Sequence, residues 1–280
     1  MASVEKERPV TTAPTGAQHS SLVGTKTTPL YIVCSPRRGI GKTLLSRLLI
    51  EFYDLDRRPV APFDLADEGP QLADFMPERT TVADIADISG QMAFFDSLIA
   101  DNNSIKVIDL SHRIFRNFFV VVQKITFFEE IRRRGGEPIL LFLVDQDPNS
   151  AKAYEILQRW FPNVPLLPVR NEAKGMPNRD AFPKIGAVPV SPDMWTLRAM
   201  AAALIDKPSF SFAQFWLKAL PDIPDRLDDE LRSWMKWIFF QFRQIELCQM
   251  CEDVLSMIET QGPSLAPTPR DAKSLDPHVA

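Results

Sequence analysis

The chain has 280 residues, 45% of them apolar and 24% charged, the balance of a soluble globular protein with sequence enough for one sizeable core. A net charge of −4 gives no overall pull toward nucleic acid, although a local basic patch stays open. No apolar run approaches the roughly 18 residues of a membrane span, and the N-terminus lacks a signal-peptide core. Three cysteines fit a reducing cytoplasm better than a disulfide framework.

Residues 1–28 are rich in Thr, Ser, Pro and Gly, have almost nothing to bury, and read as a disordered tail. The stretch after it, YIVCSPRRGIGKTLLSRLL over residues 31–49, organises the rest. Residues 31–34 predict a short strand, Gly39, Gly41, Lys42 and Thr43 close a tight loop, and a helix follows to about Tyr53. That order is what a phosphate-binding loop requires. Backbone N–H groups of the loop and of the helix start point at one spot, and the helix dipole adds positive charge there. In such a loop Lys42 reaches the β- and γ-phosphates and the Thr43 hydroxyl takes a place on Mg²⁺. Pro36 stands where the usual pattern has its first glycine.

Residues 58–64 (RPVAPFD) predict a second strand ending in an acidic cluster, Asp64, Asp67 and Glu68. Helical spacing runs over 79–100, through Val82, Ile85, Ile88, Met92, Phe95 and Leu98. Residues 105–110 (IKVIDL) predict a strand that delivers Asp109 at its carboxyl end. A helix is expected over 117–134, stopping at Gly135 and Gly136. The run PILLFLV at 138–144 is apolar throughout, as in the middle of a parallel sheet. Asp147 opens a helix over 151–160, strands are expected over 164–169 and 185–190, and a helix from about Asp193 to Ile205.

This alternation predicts an α/β fold, a doubly wound and mostly parallel sheet covered on both faces, over residues 29–206. Ligands of such sheets sit beyond the carboxyl ends of the strands. The loop, Asp64, Asp109, Asp145 and Asn171 all fall there.

Beyond Pro208 the spacing predicts helices over 210–220 and 228–260, the second carrying Leu231, Trp234, Trp237, Ile238, Phe239, Phe242 and Ile245. They form a helical extension, residues 207–262, packed on the domain; residues 263–280 read as a second, Pro-rich disordered tail. The Trp- and Phe-rich helix is read as core, with a membrane-facing or dimer-facing surface as the other reading. Cys248 and Cys251 lie three positions apart (CxxC) inside that helix, with no second pair, and read as small buried side chains rather than a zinc or redox site. Arg132, Arg133 and Arg134 suit the dipole at a helix end, with DNA contact as the alternative. His112, three residues past Asp109, is either a general base or an ordinary loop histidine.

Together the loop, the acidic strand end and the last strand resemble the ParA/MinD group of deviant P-loop ATPases. That group's loop runs K-G-G-x-G-K-[ST], where this chain has Arg37, Arg38, Gly39, Ile40, Gly41, Lys42 and Thr43. The resemblance spans residues 30–205. It implies an ATP- and Mg²⁺-dependent dimerisation switch with slow ATP hydrolysis, which positions or partitions cargo in the cytoplasm. Arg38 to Leu44 (Arg38, Gly39, Ile40, Gly41, Lys42, Thr43, Leu44) would hold the phosphates, and Thr43 and Asp109 the Mg²⁺. Arg37 stands at the signature lysine that reaches the partner's nucleotide. Asn171 would read adenine, under a strand ending in Pro189. Asp64 and Asp67 would serve water attack beside Lys42. The family's second aspartate falls on Ala66, with Asp67 one place late, and Arg38 replaces a loop glycine.

Two other classes fit the same residues. One is a nucleotide-binding scaffold that has lost hydrolysis, favoured by Pro36, Arg38 and Ala66. The other is a metabolic ATP-dependent ligase or phosphoryl-transfer enzyme of the same fold. The resemblance leaves the cargo or protein partner unnamed and supports neither DNA nor membrane contact.

Overall fold

The computed structural model describes residues 27–65, 72–100, 103–175, 192–218 and 223–261, with side chains up to Cys251. The expected tails, apart from Thr27 and Thr28, lie outside these residues. So do Ala66 and Asp67, and the strand expected at 185–190 with Pro189.

Among the described residues seven strands form one sheet: β1 (Thr28–Cys34), β2 (Val60–Leu65), β3 (Thr81–Val82), β4 (Ile105–Leu110), β5 (Gly136–Val144), β6 (Leu166–Asn171) and β7 (Asp193–Met194). Their order is β3-β2-β4-β1-β5-β6-β7, and every pairing is parallel. A parallel sheet needs helical crossovers on its faces, so its central strands must be apolar on both sides. β1 meets this requirement. Tyr31 and Val33 face one core, while Leu30, Ile32 and Cys34 face the other. β5 does the same with Ile139, Leu141 and Leu143 against Leu140, Phe142 and Val144.

The first core is covered by α1 (Lys42–Leu55), α7 (Ala199–Ile205), α8 (Phe212–Leu217) and α9 (Asp225–Gln261). On the opposite face lie α3 (Ile88–Ala100), α4 (Phe115–Lys124), α5 (Phe127–Arg133) and α6 (Pro148–Trp160). A one-turn helix, α2 (Leu72–Phe75), follows β2. The helical extension therefore shares the core of the sheet. In α9 the buried residues Leu231, Trp234, Met235, Ile238, Phe239, Phe242 and Ile245 recur at steps of three and four, which puts them on one face. Among the described residues no helix is long and apolar enough to cross a membrane.

Four expectations are corrected. Residues 79–100 are not one helix: Thr81–Val82 pairs with β2 as an edge strand, and α3 starts only at Ile88, where the Asp87 carboxylate accepts the Gly90 N–H at 2.7 Å. The helix expected over 117–134 is two, because Thr126 adopts left-handed backbone (φ 50°) between α4 and α5. Asp193 and Met194 pair with β6 instead of opening a helix, and α7 begins at Ala199. Cys251 is exposed, because it lies on the outward stripe of α9 that also carries Trp237, Phe240, Leu247 and Met250.

The sheet places a site. β1 sends α1 across one face, and its neighbour β4 leads into α4 and α5 on the other. Their carboxyl ends, registered Val33 against Asp109, form a switch point where the sheet opens a crevice.

Candidate functional site

Loop 35–41 joins β1 to α1 at this crevice. Gly39 (φ 69°) and Gly41 (φ 104°) both take backbone that side chains disfavour. A Cβ on Gly41 would stand 2.6 Å from Asn171 Nδ2, so the glycine also permits a close approach. Asn171 uses it: its Nδ2 donates to the Ile40 carbonyl at 3.0 Å, and its Oδ1 accepts the Ala173 N–H at 3.2 Å. The end of β6 is thereby tied to the loop. Gly41 is the N-cap of α1, so no side chain there takes a helix N–H, and the first turn holds no acidic residue. The N–H groups and the positive end of the helix stay available to an anion.

Lys42 is buried and donates from Nζ to the Arg37 carbonyl at 2.7 Å, folding back along its own loop. Burial pushes its pKa down, against the pull of Asp109. Thr43 Oγ1 donates to Asp109 Oδ2 at 2.6 Å, linking the start of α1 to the end of β4. Burial raises the Asp109 carboxyl to about 6, with Asp64 adding to the rise while Thr43 and Lys42 oppose it. Asp64, next to Asp109 across the β2–β4 register, accepts the Ala73 N–H at 2.9 Å and so holds the start of α2.

Asp109 Oδ1 is buried and accepts no hydrogen bond. An orphaned carboxylate oxygen beside a hydroxyl is a hard-oxygen pair that suits Mg²⁺. This cation is usually held by one or two protein oxygens, with phosphate and water completing its shell. No cluster of three or more His, Cys, Asp or Glu that could hold a metal occurs among the described residues.

Arg37 is half-exposed and turned toward the end of β5, its Nε 3.5 Å from Asp145 Oδ2. Asp145 is itself fixed by the Asp147 N–H at 2.7 Å and the Ser150 hydroxyl at 3.1 Å. Arg38 is exposed at the mouth of the crevice. Asp67 and Pro189 are outside the described residues. Arg132 pairs with Glu137, and Arg133 and Arg134 share Glu130, so each arginine of this basic run has a carboxylate partner within the chain.

A cavity of about 370 Å³ starts at Gly39, Lys42, Thr43 and Asp109 and extends away from the loop. Beyond the loop it is lined by residues that the sequence did not single out for it, among them Arg47, Phe75, Trp195, Leu197, Ile205 and Trp234. Arg47 had a signal, since it lies four residues after Thr43 and thus on the same side of α1. Its guanidinium lies 4.0 Å from the Phe75 ring centre and donates to the carbonyls of Ile205 (2.8 Å) and Phe210 (2.9 Å). Burial lowers its pKa to about 10. The tryptophans come from segments over a hundred residues downstream and carry no local signature.

These observations define an α/β protein with an all-parallel sheet and a strand–loop–helix crevice at its switch point. No protein-family model matches the sequence, and no curated protein matches it.

Proposed function

We propose that the chain binds ATP with Mg²⁺ at loop 35–41 and acts as a ParA/MinD-like dimerisation switch with slow hydrolysis. The observation that carries the reading is the Thr43–Asp109 hydrogen bond at the open start of α1, with an orphaned Asp109 oxygen beside it. In this reading the loop amides and Lys42 hold the phosphates, Lys42 exchanging the Arg37 carbonyl for a phosphate oxygen. Thr43 and Asp109 would hold Mg²⁺, which when bound offsets phosphate charge. Asp64 would orient water together with Asp67, and Arg37 would leave Asp145 to complete a partner's site. Cargo positioning in the cytoplasm follows from the resemblance alone.

The ion pair of Arg37 with Asp145 favours a second reading, a scaffold that binds ATP without hydrolysing it, because a guanidinium held within its own chain is not offered to a partner. Light scattering in ATP–Mg²⁺, in ADP–Mg²⁺ and without nucleotide, alongside phosphate release, separates the two. The switch predicts a dimer in ATP alone that disperses as phosphate appears and is absent in Lys42→Ala. A stable ATP dimer without release selects the scaffold. Response to neither nucleotide refutes both.

A further inference from the structure

We propose that the far half of the cavity is the seat of the nucleotide's base, and that Trp195 is the residue on which the base stacks. This rests on the nucleotide reading above and adds a specificity-determining side chain that the loop motif does not contain.

Four observations carry it. The cavity is continuous from Lys42 and Thr43 to Trp195, so one ligand with a phosphate end and a planar end fills both halves. Trp195 directly follows Met194, which ends β7 in register with Asn171, so the residue stands at the same carboxyl end of the sheet as the loop. Its placement is fixed twice: the Trp195 carbonyl accepts the Trp234 indole N–H at 3.0 Å, and its ring stacks on Trp237 with centres 5.9 Å apart and planes 25° apart. One face of the ring is therefore backed by a second indole, and Trp195, half-buried, is among the residues that line the cavity. Finally, Asn171 is tied to the loop and to Ala173, its Nδ2 donating to the Ile40 carbonyl and its Oδ1 accepting the Ala173 N–H, which leaves it one N–H and one lone pair for the edge of a base but no face for stacking.

A supported aromatic face is what a purine needs. Stacking tolerates any base with a π-face, and removing the ring typically weakens binding about 10- to 100-fold. Phe75, Leu197, Ile205 and Trp234 add apolar wall to a lining that also carries Arg47, Lys174 and Asp206, the mixture of apolar surface and a few polar groups that a planar ligand with polar edges fits.

The test titrates the full chain by calorimetry with Mg²⁺–ATP and with Mg²⁺–tripolyphosphate, which has the phosphates and no base. Trp195→Ala is expected to weaken ATP about 10- to 100-fold and leave tripolyphosphate within about twofold, with Trp195→Phe restoring most of the ATP affinity. Trp195→Leu, which keeps apolar bulk without a π-face, carries the same split should the alanine variant lose its cooperative melting. Unchanged ATP affinity in Trp195→Ala or Trp195→Leu overturns the inference, as does equal loss of both ligands. A wild-type chain that binds tripolyphosphate as tightly as ATP refutes the base site and spares the phosphate site. One that binds neither removes the nucleotide reading itself.

Discussion

The two faces of the sheet are built from different materials. Under α3 to α6 the core is aliphatic side chains interleaved with rings, with Phe118 meeting Phe119 edge-on at 5.1 Å and Phe128 meeting Phe161 at 4.9 Å. The face under α1, α7, α8 and α9 buries polar groups among its apolar ones. Arg47 and Glu51 lie along α1, Tyr31 and Tyr53 share a hydroxyl hydrogen bond of 2.8 Å, and Arg58 pairs with Glu246. Buried polar groups stabilise only when their partners are in place, so they fix geometry more than they add stability. The crevice opens on this second face. The first face supplies stability, and the second holds the loop and the cavity in position.

Removing a ring from the first face should have the largest effect. Phe118→Ala, in a fully buried position, is expected to lower unfolding stability by about 4 kcal/mol in denaturant melts, with ligand affinity of the surviving folded chain unchanged. On the second face, Arg47→Ala leaves the Ile205 and Phe210 carbonyls without their donor and Glu51 without its buried counter-charge. It should cost about 3 kcal/mol. Unlike the Phe118 change, it should also weaken ATP, because α7 and Phe75 line the same cavity. Equal effects of the two variants on ligand affinity would erase the distinction between the faces.

A smaller effect belongs to Gly41. Gly41→Ala forces a side chain into left-handed backbone and against Asn171, for about 1–2 kcal/mol of strain, and should weaken ATP more than its stability loss suggests. The smallest is a pH effect. Burial raises the Glu51 pKa, despite hydrogen bonds from Ser211 and Ala213. The native state therefore holds a proton that the unfolded chain has released. Glu51's contribution is fully present below the ordinary glutamate range near 4.3 and is lost as pH rises through the raised value. Glu51→Gln should flatten that part of the stability–pH curve, leaving the slope due to Asp109, which has the same sign.

Much of the fold was legible because a parallel sheet writes itself as apolar runs: residues 138–144 are buried on both faces and could hardly be anything else. Lys42, Thr43 and Asp109 were legible because loop chemistry demands a fixed spacing and a strand end. The break at Thr126 was not, since the apolar period continues through it and only backbone angle separates α4 from α5. Nor was the pairing of Arg37 with Asp145, which depends on β1 and β5 lying side by side. The aromatic half of the cavity was hidden for the same reason. Trp234 reads as a core residue in sequence and Trp195 falls inside an expected helix, and only the docking of α9 beside β7 brings them to the crevice.

The most direct test is a calorimetric titration of Mg²⁺–ATP into the wild-type chain and into Lys42→Ala. The account predicts saturable one-site binding to the wild type, weakened at least about 100-fold when the buried ammonium is removed. Equal affinity in both chains, or no heat of binding in either, would contradict it.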